Sequence, residues 1–311
     1  MPQYRKLRQR HSILDLCHDP ELAAAVTLQP VHRLGVDAAI VFADILLPFE
    51  PLRLGLSFTA GEGPHIERPI RDATDVERLP SFNVDAELGY VMDAIRLARR
   101  ELPADVPLIG FAGAPFTLAS YAIEGGASRT FTKTKRFMYQ IPDTWHLLLS
   151  KFADLIGRYL AAQARAGAQA LQLFDSWVGC LSPDDYRTYV QPHSRKALSL
   201  ASAANVPLIH FGTGTATFLE DFAAAGGDVI SIDWRIPLDA AWARIGGGRA
   251  IQGNLEPAAL LAPAAERTRQ VRDILARAGG RPGHIFNLGH GVLPETDVAA
   301  VRAVVDLVHG G

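Results

Sequence analysis

Seven short apolar runs recur along the chain, at Val36–Ala43, Pro107–Ala112, Gln169–Asp175, Pro207–Phe211, Val229–Asp233, Ala250–Gly253 and His284–Leu288. Their interiors do not alternate strictly between apolar and polar positions, which is the pattern of strands covered on both faces. Longer segments with helical spacing separate them. Short strands alternating with helices predict a parallel sheet wrapped in helices.

Start and stop signals give the helices their direction. Asp19 stands before Pro20 as an N-cap, and that helix is expected to run to Gly35, just ahead of the first apolar run. Ser182-Pro183-Asp184-Asp185 opens another helix in the same way, and the periodic stretch from Pro142 to Ala166 stops at Gly167. The segment from Gln3 to Ser12 is polar and reads as a loop leading to a short helical stretch around Ile13–Cys17. No Ser/Gly-rich linker or composition break divides the chain, so residues 1–311 read as one barrel domain.

Polar and glycine residues gather just after the apolar runs: Asp44, Gly113, Asp175-Ser176, Gly212-Thr213-Gly214, Asp233-Trp234, Asn254 and Gly289-His290-Gly291. In a (β/α)8 barrel the carboxyl ends of the strands form the mouth that holds the active site. Eight strands close such a barrel and seven are visible. The expected fold is therefore a TIM-type barrel missing its first strand in this chain, with that strand upstream of Met1. The edges of Val36–Ala43 and His284–Leu288 are then expected to stay unpaired, or Met1–Leu7 to plug part of the space between them.

Composition narrows the partners. The 311 residues are 48% hydrophobic and 21% charged, with a formal net charge of −2, which fits a globular core and argues against nucleic acid or an acidic membrane as main partner. An anionic ligand must then meet a local cluster of base. The two cysteines, Cys17 and Cys180, make neither a disulfide framework nor a four-ligand zinc spacing, so a reducing compartment, the cytoplasm, is the simplest setting. No signal-peptide core and no apolar run of membrane-spanning length is found. No dinucleotide or P-loop fingerprint occurs; Gly61-Glu62-Gly63-Pro64 reads as a tight turn, and Gly212-Thr213-Gly214 offers backbone N–H groups only as weak evidence of an anion site.

Five stretches carry a resemblance: Asp37 through Leu46 (DAAIVFADIL), Gly110 through Gly125 (GFAGAPFTLASYAIEG), Phe174-Asp175-Ser176-Trp177, Gln252-Gly253-Asn254-Leu255, and Phe286 through Gly291 (FNLGHG). In content and order the chain resembles uroporphyrinogen decarboxylase. The resemblance implies a cytoplasmic homodimeric barrel, free of cofactor and metal, that removes four acetate carboxyls from uroporphyrinogen III to give coproporphyrinogen III. Decarboxylating an acetate arm on a pyrrole needs an electron sink, which arises when the ring is protonated at carbon and becomes cationic. A fixed carboxylate favours that cation.

By position in these motifs, Asp44 matches the aspartate that accepts the pyrrole N–H bonds, and Tyr121, Ser176 and His290 match the hydrogen-bonding positions around the substrate carboxylates. Asp44, Tyr121 and His290 are the candidate catalytic residues; Ser176, Phe42 and Phe174 complete the candidate substrate cleft. Each also has a structural reading: Asp44 as the cap of the next loop, Tyr121 as an amphipathic core ring, Ser176 as a helix cap, His290 as a satisfied buried histidine, and the two phenylalanines as core. The family's Arg-Gln-Ala-Gly-Arg motif, with a carboxylate clamp and a proton donor, precedes a stretch matched here by Pro2-Gln3-Tyr4-Arg5, so it is expected upstream of Met1; Arg5, Arg8 and Arg10 are not taken to replace it. Two other functions remain open: a tetrapyrrole-binding homologue impaired in turnover, and a zinc- or cobalamin-linked methyltransferase of the same fold. Such a methyltransferase needs a His-x-Cys pair that neither cysteine has.

Overall fold

A computed structural model describes residues 1–59 and 63–310. The strands are β1 (Ala39–Ile40), β2 (Leu56–Thr59), β3 (Gly63–Ile66), β4 (Leu108–Gly113), β5 (Ala170–Asp175), β6 (Leu208–Gly212), β7 (Val229–Ser231), β8 (Ala250–Leu255) and β9 (His284–Leu288). All seven predicted runs are present, and they form one parallel sheet in the order β1-β4-β5-β6-β7-β8-β9.

The sheet is curled into a half-barrel. Gln172 on β5 and Gln252 on β8 are three strands apart, yet the Gln252 side-chain amide donates to the Gln172 carbonyl oxygen at 3.2 Å and to the Ser231 hydroxyl at 2.9 Å. All three side chains are buried, so they form a polar layer satisfied within the concave face. A flat sheet would hold such strands about 14 Å apart at the usual inter-strand spacing.

Helices precede and cover the strands. Asp19 caps the helix Pro20–Leu34 by accepting from the amides of Glu21 and Leu22, and Gly35 ends it in the left-handed conformation. The 25-residue helix Pro142–Ala166 ends at Gly167. It buries Trp145, Phe152 and Tyr159 almost completely, and truncating any one to Ala would cost about 3–5 kcal/mol or more. Near the end of this helix, Gln163 accepts from the Phe111 amide at 2.8 Å and donates to its carbonyl at 2.7 Å, bonding to β4 as a strand would. Gly110 makes room for it, since a Cβ there would come within 2.6 Å of the Gln163 oxygen.

Three sequence expectations need correction. The polar segment expected as a loop from Gln3 to Ser12 contains a helix, Pro2–Arg8, with Pro2 at its first position. It is rich in good helix formers and half-buries only Tyr4 and Leu7, too short a stripe to register as periodicity. The first run is paired over two residues only; its hydrogen bonds from Ala39 to Pro107 and from Val41 to Ile109 reach β4 on one side. An antiparallel hairpin, β2 with β3, was not expected. Gly61 and Glu62 of the proposed tight turn lie outside the described residues, while Gly63 and Pro64 open β3.

Among the described residues β1 and β9 pair with β4 and β8 alone, so the sheet has two edges. The N-terminal helix touches the segments that follow both. Tyr4 packs edge-on against Phe42 at 5.7 Å, and Arg5 donates to the Pro294 carbonyl at 3.3 Å. Ile40 on one edge strand and Ile285 on the other stay more than 40% exposed.

Candidate active site at the carboxyl ends of the strands

A cavity of about 420 Å³ opens at the carboxyl end of β1, lined by Thr27, Phe42, Asp44, Phe111, Phe174 and Ser176 among others. Four of the six sequence-predicted residues therefore share it. Its wall is largely aromatic: Phe174 meets Phe111 edge-to-face at 5.4 Å and Phe211 at 5.1 Å.

Asp44 is the carboxylate of this wall. One oxygen accepts from the Leu46 amide at 2.8 Å, so the local turn that the structural reading anticipated does exist, and it fixes the side chain beside the cavity. The apolar surroundings penalise the charged form more than this one bond favours it, and the pKa rises to about 6. The group is thus poised to be ionised near neutrality in a setting where its charge is weakly screened.

Tyr121 and Ser176 approach from neighbouring strands. Tyr121 is on the helix Pro115–Glu124, launched directly from β4, and its ring packs against Trp177 at 5.9 Å. Burial pushes its hydroxyl up to about 12; the Trp177 indole opposes that rise and the negative charge of Asp44 adds to it. Tyr121 therefore keeps its proton near neutrality and can donate a hydrogen bond, in electrostatic reach of Asp44. Ser176 follows β5 and is fixed through its carbonyl, which accepts from the Thr213 hydroxyl at 2.7 Å.

His290 lies apart from this cavity lining, on the rim after β9, and joins it through aromatic contacts. Its ring meets Phe211 edge-on at 6.2 Å, and Phe211 meets Phe174. Its Nδ1 accepts from the Gly291 amide at 2.6 Å, leaving Nε2 to carry the proton of the neutral ring. Partial burial and the nearby Arg235 charge hold its pKa below the ordinary histidine value.

Three groups at the same mouth were not singled out as site residues. Trp177 and Phe211 pack on Tyr121 and Phe174, and the residue type alone does not separate such rings from core. Asp175 is fully buried, accepts from the Thr117 hydroxyl at 2.9 Å and has its second oxygen without a partner. Burial raises its pKa to about 7. Its place between Phe174 and Ser176 in the motif was the available signal.

The family model for Uroporphyrinogen decarboxylase (URO-D) matches residues 1–311. The chain belongs to the uroporphyrinogen decarboxylase family. Among curated relatives, the uroporphyrinogen decarboxylase of Sorangium cellulosum is 56% identical over 99% of this chain and 88% of its own length. That of Carboxydothermus hydrogenoformans is 52% identical with the same coverage. Among solved structures, a methyltransferase from Methanosarcina mazei superposes with a TM-score of 0.81 over 95% of this chain and 87% of its own, at 20% identity, which is a likeness of fold alone. The family is one of decarboxylases. Among the described residues no three His, Cys, Asp or Glu side chains gather as a metal-ligand set, and no helix is long and apolar enough to cross a membrane.

Proposed function

We propose that this protein decarboxylates the acetate arms of uroporphyrinogen III to coproporphyrinogen III, with Asp44 as the group that stabilises the cationic pyrrole intermediate. The observation that carries the reading is the half-buried Asp44 carboxylate in an aromatic cavity at the strand ends, within a chain more than half identical to relatives of that name. Protonation of a pyrrole carbon makes the ring cationic; the electron pair of the bond between the acetate methylene and its carboxyl then flows into the ring and carbon dioxide leaves, after which the exocyclic methylene takes up a proton to become methyl and the ring carbon releases the proton it had gained. Asp44 lowers the barrier because its charge faces the positive charge as it develops, in a cavity where water screens poorly. Phe42 and Phe174 flank the macrocycle, while Tyr121, Ser176 and His290 donate hydrogen bonds to its carboxylates.

We further assign the protein to the cytoplasm as a homodimer. Two free cysteines, Cys17 and Cys180, support a reducing compartment. Incubation with uroporphyrinogen III under reducing conditions, with the products oxidised and separated by chromatography, tests the reaction. Stepwise loss of one to four carboxyls is expected. Binding without loss of carbon dioxide would instead identify a tetrapyrrole-binding homologue.

A further inference from the structure

We propose that Arg235, together with His290, forms a carboxylate-binding site for an acidic side arm of the substrate on the β7–β9 side of the mouth. The inference rests on the tetrapyrrole reading above and adds a residue that its motifs do not contain.

The loop after β7 and the loop after β9 are in direct contact. A Cβ at Gly289 would lie 2.8 Å from the Asp233 Cα and 2.8 Å from the Trp234 ring, so the backbone leading into His290 rests on Asp233-Trp234. Arg235 is the next residue, and its cation is near enough to His290 to disfavour protonation of the imidazole. An acid arm arriving here would meet a neutral imidazole N–H and a guanidinium.

The guanidinium is fixed before any ligand arrives. One nitrogen pairs with the Asp233 carboxylate and the Trp234 ring lies under the charge, 4.5 Å from centroid to Cζ. About half of the side chain nevertheless stays exposed, leaving further N–H donors of the fork available for a carboxylate. Immobilising the side chain in advance reduces the entropy lost on binding.

Arg235 is not the only partner of Asp233. Asp233 is 3% exposed, but its two oxygens already accept from the amides of Gly214 at 2.7 Å and Arg235 at 3.0 Å. The backbone therefore gives each carboxylate oxygen a hydrogen bond besides the ion pair. In a chain of net charge −2, a fixed cation at the strand ends also supplies the local base that an acidic ligand requires.

The test compares wild type, Arg235→Gln and Arg235→Lys in uroporphyrinogen turnover, in binding of coproporphyrin read by tryptophan quenching, and in thermal melting. Arg235→Gln is expected to raise KM and weaken coproporphyrin binding about tenfold to a hundredfold, with a much smaller change in kcat; the lysine variant should recover part of the loss. Unchanged KM and binding in Arg235→Gln, whatever its melting temperature, would overturn the proposal and leave the enzymatic reading standing. A wild type that binds coproporphyrin without turning over uroporphyrinogen would overturn the enzymatic reading alone, and the binding comparison would then decide the role of Arg235. Failure of the wild type to bind at all would overturn both.

Discussion

The Thr27 hydroxyl accepts from the Phe42 amide at 2.8 Å while donating to the Ala23 carbonyl at 2.8 Å. Thr27 is 2% exposed, and through it the helix Pro20–Leu34 supplies the partner that the outer side of the β1 segment would otherwise take from another strand. An unpaired amide on such an edge costs stability and invites intermolecular pairing. Thr27→Val keeps the shape and removes the acceptor, so a loss of about 1–3 kcal/mol is expected in denaturant unfolding. Thr27→Ser should lose much less.

Asp44→Asn preserves size and most hydrogen-bonding atoms but removes the charge. Turnover of uroporphyrinogen should fall by about a hundredfold or more with a small change in KM, because the charge matters chiefly when the ring becomes cationic. Unaltered kcat would take Asp44 out of the mechanism.

The same residue should govern the acidic limb of the pH profile. Its pKa in the unliganded protein is about 6, and the proposed mechanism uses the ionised form, so kcat/KM is expected to decline as pH falls through about 6. Steady-state rates between pH 5 and pH 8, roughly the interval in which this titration occurs, would show the limb. Any residual activity of the asparagine variant should lack it.

Asp175 supplies a stability test of opposite character. Its pKa rises from 3.8 in the open chain to about 7 in the fold, chiefly through burial. The folded state then holds a proton that the unfolded state has released, so this group lowers stability as pH rises from about 4 to about 7. Asp175→Asn can keep the bond from Thr117 and has no charge to bury. Urea unfolding at several pH values should show the variant gaining on wild type as pH increases; parallel curves would mean that the carboxyl is not proton-linked to folding.

Tyr121→Phe removes a hydroxyl that stays protonated up to about pH 12. Loss of one hydrogen bond to a substrate carboxylate should lower kcat/KM about tenfold to a hundredfold without moving the pH profile. A shifted acidic limb would instead show that Tyr121 sets the ionisation of Asp44.

The strands and the direction of their helices were legible because both depend on local chemistry: apolar runs, Asp19 before Pro20, glycines at Gly35 and Gly167. The mouth residues were legible because parallel strands all end on one side, so polar positions after each run must gather there. Phe42, Asp44, Phe174 and Ser176 accordingly line one cavity. Less visible were the hairpin of β2 and β3, whose strands are four residues each, and the helix Pro2–Arg8, which half-buries only Tyr4 and Leu7 and has no long apolar stripe.

What the sequence by itself determined was the set of parallel strands, their order of appearance, and the motif positions of Asp44, Tyr121, Ser176 and His290. Tertiary structure alone decided what each group experiences. Curvature of the sheet brought Gln172 on β5 to Gln252 on β8, burial raised Asp44 and Asp175 toward neutrality, and Gly289 let the loop of His290 rest against Asp233-Trp234 beside Arg235. Those properties depend on atoms far apart in the chain, through desolvation and contact distance, and no local pattern of residues encodes them.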